Sequence, residues 1–377
     1  MQGMRVLIAP DKFKGCLSAQ EVAKAIAAGV RDVLPRADVE ELPIADGGDG
    51  TAEVICNALG GKWVTCKAHD PLGRQIECRY GMVERERLAV MEMSEAAGMR
   101  RLTESEYDPL RATTFGVGQM ILDAARRGAE TIIIGLGGSA TNDGGFGMAR
   151  ALGYRFFDGE GIQVRTAINK LRTLKRIDCP RNLVVPTIIG AVDVRNPLLG
   201  RHGATRVFGP QKGATRSQLA LLDKCLKRLA KVADRQVRKV RAKTPGAGAA
   251  GGLGFGLMAF AGASLQPGFG VVAKATRLES RIKMAEIVVT GEGRLDVQTL
   301  DGKAPAGVAN MARKLGKRTF AIVGEAADQN KMGDLFDGVY ELRSARLSQA
   351  ETMANARDLL REKAREMARK WGVRSER

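Results

Sequence analysis

The sequence predicts an α/β protein in which both chain ends build one doubly wound domain and the middle forms a second, inserted mixed α/β domain. Three observations carry that expectation. Short Val/Ile-rich runs alternate with amphipathic helical patterns near both termini, the signature of parallel α/β units. The middle breaks this rhythm with consecutive strand patterns joined by turn residues. A length of 377 residues also exceeds one typical domain. The boundaries are placed at 1–60 plus 277–377 for the outer domain and 61–276 for the insert.

Along the chain, Arg5–Ala9 reads as a strand, and Ser18 is suited to cap a helix running to Val33. A second strand is expected at Val39–Ile44, followed by a helix at Thr51–Leu59. Trp63–Ala68, Gln75–Val83 and Leu88–Met93 read as antiparallel strands, the first two joined by the turn Asp70-Pro-Leu-Gly73. A helix near Thr114–Arg127, a strand at Thr131–Gly135, a helix at Gly147–Leu152 and a buried strand at Pro186–Val192 follow. Strands at Glu286–Thr290, Thr319–Val323 and Gly338–Leu342 return the chain to the outer domain, with helices at Ala304–Leu315 and Gln349–Trp371.

The formal charge of +18 raises the question of a polyanionic partner. Eleven Lys or Arg and two acids fall within Gln211–Lys243. Leu219, Leu222, Leu226, Leu229 and Val232 there share one helical face, so the bases read as the solvated side of a surface helix. Aromatic residues for base stacking are missing from it, and no nucleic-acid partner is expected. The uncharged stretch Pro245–Ala273 is long enough for a membrane span, but nine glycines and two prolines make it a buried glycine-rich loop leading into a core helix. Six cysteines without CxxC pairing and only two histidines exclude the usual zinc spacings and suit a reduced, intracellular chain. No charged-then-apolar leader precedes Arg5, so a cytoplasmic location is expected.

Glycine, at 46 residues, is in excess, and it clusters beside acidic and hydroxyl residues. The P-loop pattern and the protein-kinase motifs are missing. Gly246-Ala-Gly-Ala-Ala-Gly251 matches GxGxxG, yet Lys-Thr-Pro precedes it where a dinucleotide site wants a strand. Its amides, including those of Gly248, Gly251 and Gly252, could still cradle phosphates. The loop Gly135–Gly145 is more telling, because it follows a strand and precedes a helix. It sets Gly137, Gly138, Ser139, Thr141, Asn142 and Asp143 where open α/β sheets bind ligands. Acidic loops recur at strand ends: Asp46 and Asp49 in Asp-Gly-Gly-Asp-Gly, Asp193 in Asp-Val-Arg-Asn-Pro, and Glu292 with Asp296 in Gly-Glu-Gly-Arg-Leu-Asp. Lys14, Lys212, Arg294 and Lys303 lie in or beside such loops. Carboxylates for Mg²⁺ and cations for a moving phosphoryl group are what phosphoryl transfer needs.

These residues resemble the bacterial glycerate kinases over nearly the whole chain. The resemblance rests on Ala9–Gly15 (APDKFKG), Ala45–Thr51 (ADGGDGT), Asp70–Gly73 (DPLG), Gly137–Gly145 (GGSATNDGG), Asp193–Gly200 (DVRNPLLG), Gly209–Thr215 (GPQKGAT), Gly246–Gly254 (GAGAAGGLG) and Thr290–Pro305 (TGEGRLDVQTLDGKAP). It differs at Lys12, where the family usually has serine, and at Asp49, where it usually has glutamate. It implies a flavodoxin/Rossmann-like outer domain and ATP-dependent phosphorylation of D-glycerate, with the 2-hydroxyl favoured and the 3-hydroxyl as the alternative. A non-catalytic basic ligand- or nucleic-acid-binding relative is the alternative from another class. Under the kinase reading, Asp193 or Asp296 takes the substrate proton, while Lys14 and Arg294 meet glycerate or the transferring phosphate. Asp46, Asp49, Asp193 and Glu292 are the candidate Mg²⁺ ligands. Gly137, Gly138, Ser139, Thr141, Asn142, Asp143, Lys212, Gly248, Gly251, Gly252 and Lys303 are the candidates for binding nucleotide or substrate. Glycerate is the expected partner, no membrane is expected, and a homodimer is compatible with the sequence.

Overall fold

A computed structural model describes residues 3–166, 168–295, 304–327, 335–343 and 347–372. The chain opens with β1 (Arg5–Ile8), α1 (Ala19–Val33) and β2 (Asp38–Glu41). It continues through α2 (Thr51–Ala58), β3 (Lys62–His69), β4 (Gln75–Val83), β5 (Leu88–Glu92), α3 (Ser94–Ala97), α4 (Phe115–Arg126), β6 (Thr131–Gly135) and α5 (Phe146–Ala151). Next come β7 (Arg155–Asp158), β8 (Gln163–Val164), β9 (Leu174–Asp178), β10 (Thr187–Val192), α6 (Ala204–Phe208), α7 (Arg216–Gln236), α8 (Ala249–Ala261) and β11 (Ser264–Pro267). It closes with α9 (Gly268–Ala275), α10 (Leu278–Met284), β12 (Ile287–Thr290), β13 (Arg294–Leu295), α11 (Ala304–Lys314), β14 (Arg318–Val323), β15 (Glu325–Ala326), β16 (Gly338–Glu341), α12 (Gln349–Ala354) and α13 (Ala356–Gly372). Two compact units result: residues 1–46 with 269–377, and residues 47–268. Helix α2 packs on β4 and β5, which places it in the inner unit.

In the outer unit the sheet order is β16-β14-β12-β1-β2, and every pairing is parallel. Counted along the chain this is 2-1-3-4-5, the flavodoxin-like doubly wound order. Alternation along β14 shows the two faces. Phe320 and Ile322 join Val22, Ile26, Leu360 and Trp371 of α1 and α13, whereas Ala321 and Val323 join Ala306 and Ala309 of α11. Ser18 caps α1 as expected: its hydroxyl accepts from the Glu21 amide at 3.3 Å, and the Glu21 carboxylate accepts from the Ser18 amide at 3.0 Å. Replacing Ser18 with alanine is expected to destabilise this unit by about 1 kcal/mol. Urea unfolding followed by circular dichroism measures it, and an unchanged midpoint would remove the cap from the account.

The inner unit carries a six-stranded sheet, β11-β10-β6-β5-β4-β3. Strands β11, β10, β6 and β5 are parallel, and β4 and β3 return antiparallel, as the hairpin pattern predicts. The sequence reading had no counterpart for the small antiparallel sheet β8-β7-β9. Its strands are short and half exposed, and Phe156 and Ile177 are buried only because α7 and neighbouring elements cover them. Strand β11 also escaped, since Ser-Leu-Gln-Pro offers no apolar run. On α7 the expected face is buried at Leu222, Leu226, Leu229 and Val232 and half-buried at Leu219, while Lys224, Lys227, Lys231 and Arg235 are exposed. Among the described residues, no helix is long and apolar enough to cross a membrane. Pro245–Ala273 instead folds as a loop, α8, β11 and part of α9. The closing helix is divided at Asn355 into α12 and α13.

Candidate functional site

Ligands of open α/β sheets gather at the carboxyl ends of strands where the strand order reverses. In the outer unit that point lies between β1 and β12. The chain leaving β1 keeps pairing with the chain leaving β12: the Ala9 amide donates to Val289 O at 2.7 Å and the Asp11 amide to Gly291 O at 2.8 Å. The Thr290 hydroxyl, fully buried, donates to Ala9 O at 2.7 Å. Asp11 is thereby fixed beside Gly291 and Glu292, with only 7% of its surface exposed. Its carboxylate accepts from the Lys12 amide at 2.6 Å. Burial, reinforced by the charges of Asp46 and Glu292 and opposed by Lys12, pushes the Asp11 carboxyl up to about 7. Glu292 is buried, Asp46 half-buried, and Lys14 and Arg294 are exposed. Asp296 and Lys303 lie outside the described residues.

The inner unit supplies the glycine-rich loop after β6. Its start is held by hydrogen bonds from the Met93 amide to Gly135 O and the Leu136 amide to Ala191 O, both 3.1 Å. The Met99 amide donates to Gly138 O and the Ala140 amide to Ala97 O, both 2.9 Å. Lys212, only 2% exposed, donates its amine to Ser139 Oγ and to Thr141 O, both at 2.7 Å. Burial lowers its amine to about 7, with Asp143 opposing. The Asp143 carboxylate is fully buried and accepts from the amides of Thr114, Gly145 and Gly147 and from the Thr114 hydroxyl. Those donors head α4 and α5, so this acid ties two helix starts together. Asn142 donates to Thr205 Oγ1 at 3.0 Å, but its Oδ1 and the Thr141 hydroxyl are buried with no hydrogen-bond partner among the described residues.

The second glycine-rich stretch packs on the first. Gly251 has φ +65°, and a Cβ there would lie 1.9 Å from Thr141 O; one at Gly252 would lie 2.9 Å from Gly144 Cα. The Gly144 amide also donates to Gly251 O at 3.1 Å. Gly248 instead abuts Asn196 and Pro197, its amide donating to Asn196 O at 2.9 Å. Nearby, the Ser94 hydroxyl donates to Asp49 Oδ1 at 3.3 Å, beside Gly138. Glu92 heads α2 by accepting from the Gly50 amide at 2.6 Å. Burial and then the Asp49 charge raise its carboxyl, against the Gly50 and Ala52 amides. Asp193 is exposed after β10.

The structure therefore assembles two sets. Asp46 and Glu292 bear on Asp11 in the outer unit. Gly137, Gly138, Ser139, Thr141, Asn142 and Asp143 gather with Lys212, Gly251 and Gly252 in the inner unit. Asp11, Glu92 and Ser94 were not singled out from sequence. Asp11 had a signal, an acid directly after the first strand within Ala9–Gly15, whereas Glu92 and Ser94 had none. Among the described residues, no group of three or more His, Cys, Asp or Glu is spaced to hold a metal by itself. Asp11 and Glu292, buried carboxylates at the β1/β12 strand ends, are oxygen donors of the kind Mg²⁺ takes.

A model of the Glycerate kinase family matches residues 6–372. A glycerate kinase of Halalkalibacterium halodurans is 42% identical, the match covering 96% of this chain and 97% of the relative. The glycerate 2-kinase of Escherichia coli K12 is 44% identical over 86% of each chain. The crystal structure of a glycerate kinase 2 candidate from Salmonella typhimurium LT2 superposes with a TM-score of 0.89 at 40% identity, covering 100% of both chains. The chain belongs to the glycerate kinase family.

Proposed function

We propose that the protein transfers the γ-phosphoryl group of ATP to the 2-hydroxyl of D-glycerate, giving 2-phosphoglycerate and ADP. The observation that carries this reading is membership of the glycerate kinase family, with the buried carboxylates Asp11 and Glu292 held at the β1/β12 strand ends. The 2-hydroxyl is favoured by similarity to a relative that bears the name glycerate 2-kinase. Of the candidate Mg²⁺ ligands, Asp46 and Glu292 lie in the outer unit and Asp49 and Asp193 in the inner unit; one or two of them would hold the ion, with phosphate oxygens and water completing its shell. When bound, Mg²⁺ neutralises charge on the phosphate oxygens. Amides of the Gly137–Asn142 loop, other than that of Ala140, would donate to the polyphosphate chain. Exposed Lys14 and Arg294 would take the glycerate carboxylate or the moving phosphoryl group, arginine offering a bidentate fork. Asp193 or Asp296 would accept the proton of the attacking hydroxyl. The cytoplasm, where ATP is supplied, suits six cysteines that are all free.

The reading is tested by ADP release from Mg·ATP. Release that depends on added D-glycerate and stops with EDTA is expected. Release indifferent to D-glycerate, or none at all, overturns it.

A further inference from the structure

A lysine whose amine is buried against a serine hydroxyl sets the direction of that serine's hydrogen bonding. Lys212 ends the short turn before α7 and is 2% exposed, so a ligand does not reach its amine directly. In its protonated form the Lys212 amine only donates. At the 2.7 Å contact, Ser139 Oγ is therefore the acceptor, and its own hydrogen is left to donate elsewhere. Among the described residues no acceptor meets that hydrogen. A hydroxyl that accepts from a cation is also a stronger donor. The position of Oγ is fixed from both sides. A strand-like bridge joins Ser139 to Gly98, the flanking residues bond to Met99 and Ala97, and the same Lys212 amine holds Thr141 O. Two residues on, the fully buried Thr141 hydroxyl has no partner among the described residues. Unsatisfied buried hydroxyls are rare in native proteins.

We propose that Ser139 donates its hydroxyl hydrogen to an oxygen of the ATP polyphosphate chain, and that Lys212 is the positioning residue that holds and polarises it. This rests on the reading that the Gly137–Asn142 loop takes the nucleotide phosphates. Lys212 acts through Ser139 and the Thr141 carbonyl rather than by touching nucleotide. Removing either side chain weakens the same interaction, so the two losses do not add.

The test is calorimetric binding of Mg·AMP-PNP together with steady-state kinetics for the wild type, Ser139→Ala, Lys212→Met and the double variant. Ser139→Ala is expected to weaken AMP-PNP binding and raise KM for ATP by about tenfold or more, the scale of a hydrogen bond to a charged group. KM for D-glycerate should stay within about twofold. The double variant should lose less affinity than the sum of the two single losses. If Lys212→Met does not fold, Ser139→Ala decides the matter. Unchanged AMP-PNP affinity in Ser139→Ala overturns the proposal, even where turnover of the wild type supports the kinase reading. An effect confined to KM for D-glycerate overturns it too, by assigning the anion to the acceptor's carboxylate. Wild type that binds AMP-PNP without phosphorylating glycerate, alongside a Ser139→Ala variant that loses binding, keeps the proposal and sinks the substrate assignment.

Discussion

Asp11→Asn is expected to raise stability and lower turnover at once. The Asp11 carboxyl titrates near 7 in the folded chain because it is buried beside Asp46 and Glu292. In the unfolded chain it returns to the ordinary aspartate value near 4. Between those values the folded state holds a proton that the unfolded state has released, so this contribution to stability falls as pH rises from about 4 to 7 and is fully lost above. Asparagine has no such titration. In metal-free buffer at pH 8 the variant should therefore melt several degrees above the wild type, a gain of about 2–4 kcal/mol, and the difference should vanish near pH 4. Turnover should drop by about 10²-fold or more, because the β1/β12 strand ends lose a buried carboxylate. Scanning calorimetry across pH and the ADP-release assay measure the two halves. A variant destabilised at pH 8 would show Asp11 to be a structural acid.

Gly251→Ala is expected to prevent the inner unit from folding. The backbone there has φ +65°, a conformation costing an alanine about 1 kcal/mol or more, and the added Cβ would sit 1.9 Å from Thr141 O. The obstacle is backbone held by its own hydrogen bonds, so it cannot rotate away as a side chain would. A loss of more than about 4 kcal/mol follows, enough to remove soluble protein. Gly270→Ala is the contrast, since a Cβ there meets nothing within 4 Å and the residue lies inside α9. It should be neutral or stabilise by up to about 1 kcal/mol. Soluble yield and urea unfolding of the two variants report the difference, and a well-folded Gly251→Ala would contradict the close approach of the two loops.

These two positions also show what could be read from the chain beforehand. Regular alternation and capping residues made the strands and helices of the doubly wound unit legible, because each carries its own period or cap, as Ser18 and Glu21 do for α1. The small sheet β8-β7-β9 did not announce itself, since its burial comes from α7 and not from a local pattern. At the site, loop composition marked where ligands could be met but not what each glycine faces. Gly251 and Gly252 look alike in sequence whether they approach a phosphate or another backbone, and here they face Thr141 and Gly144. Asp143 reads as one more acid in a ligand loop, yet its oxygens are occupied by the starts of α4 and α5. Asp11 was overshadowed by its flanking lysines, because burial, which sets it apart, is a property of the tertiary fold.

The central claim is the product. Mg·ATP and D-glycerate are incubated with the protein and coupled through enolase, pyruvate kinase and lactate dehydrogenase, first without phosphoglycerate mutase and then with it. Because enolase consumes 2-phosphoglycerate directly, the account predicts NADH loss that needs enolase and is unaffected by mutase. Loss that begins only when mutase is added would place the phosphoryl group on the 3-hydroxyl and contradict it.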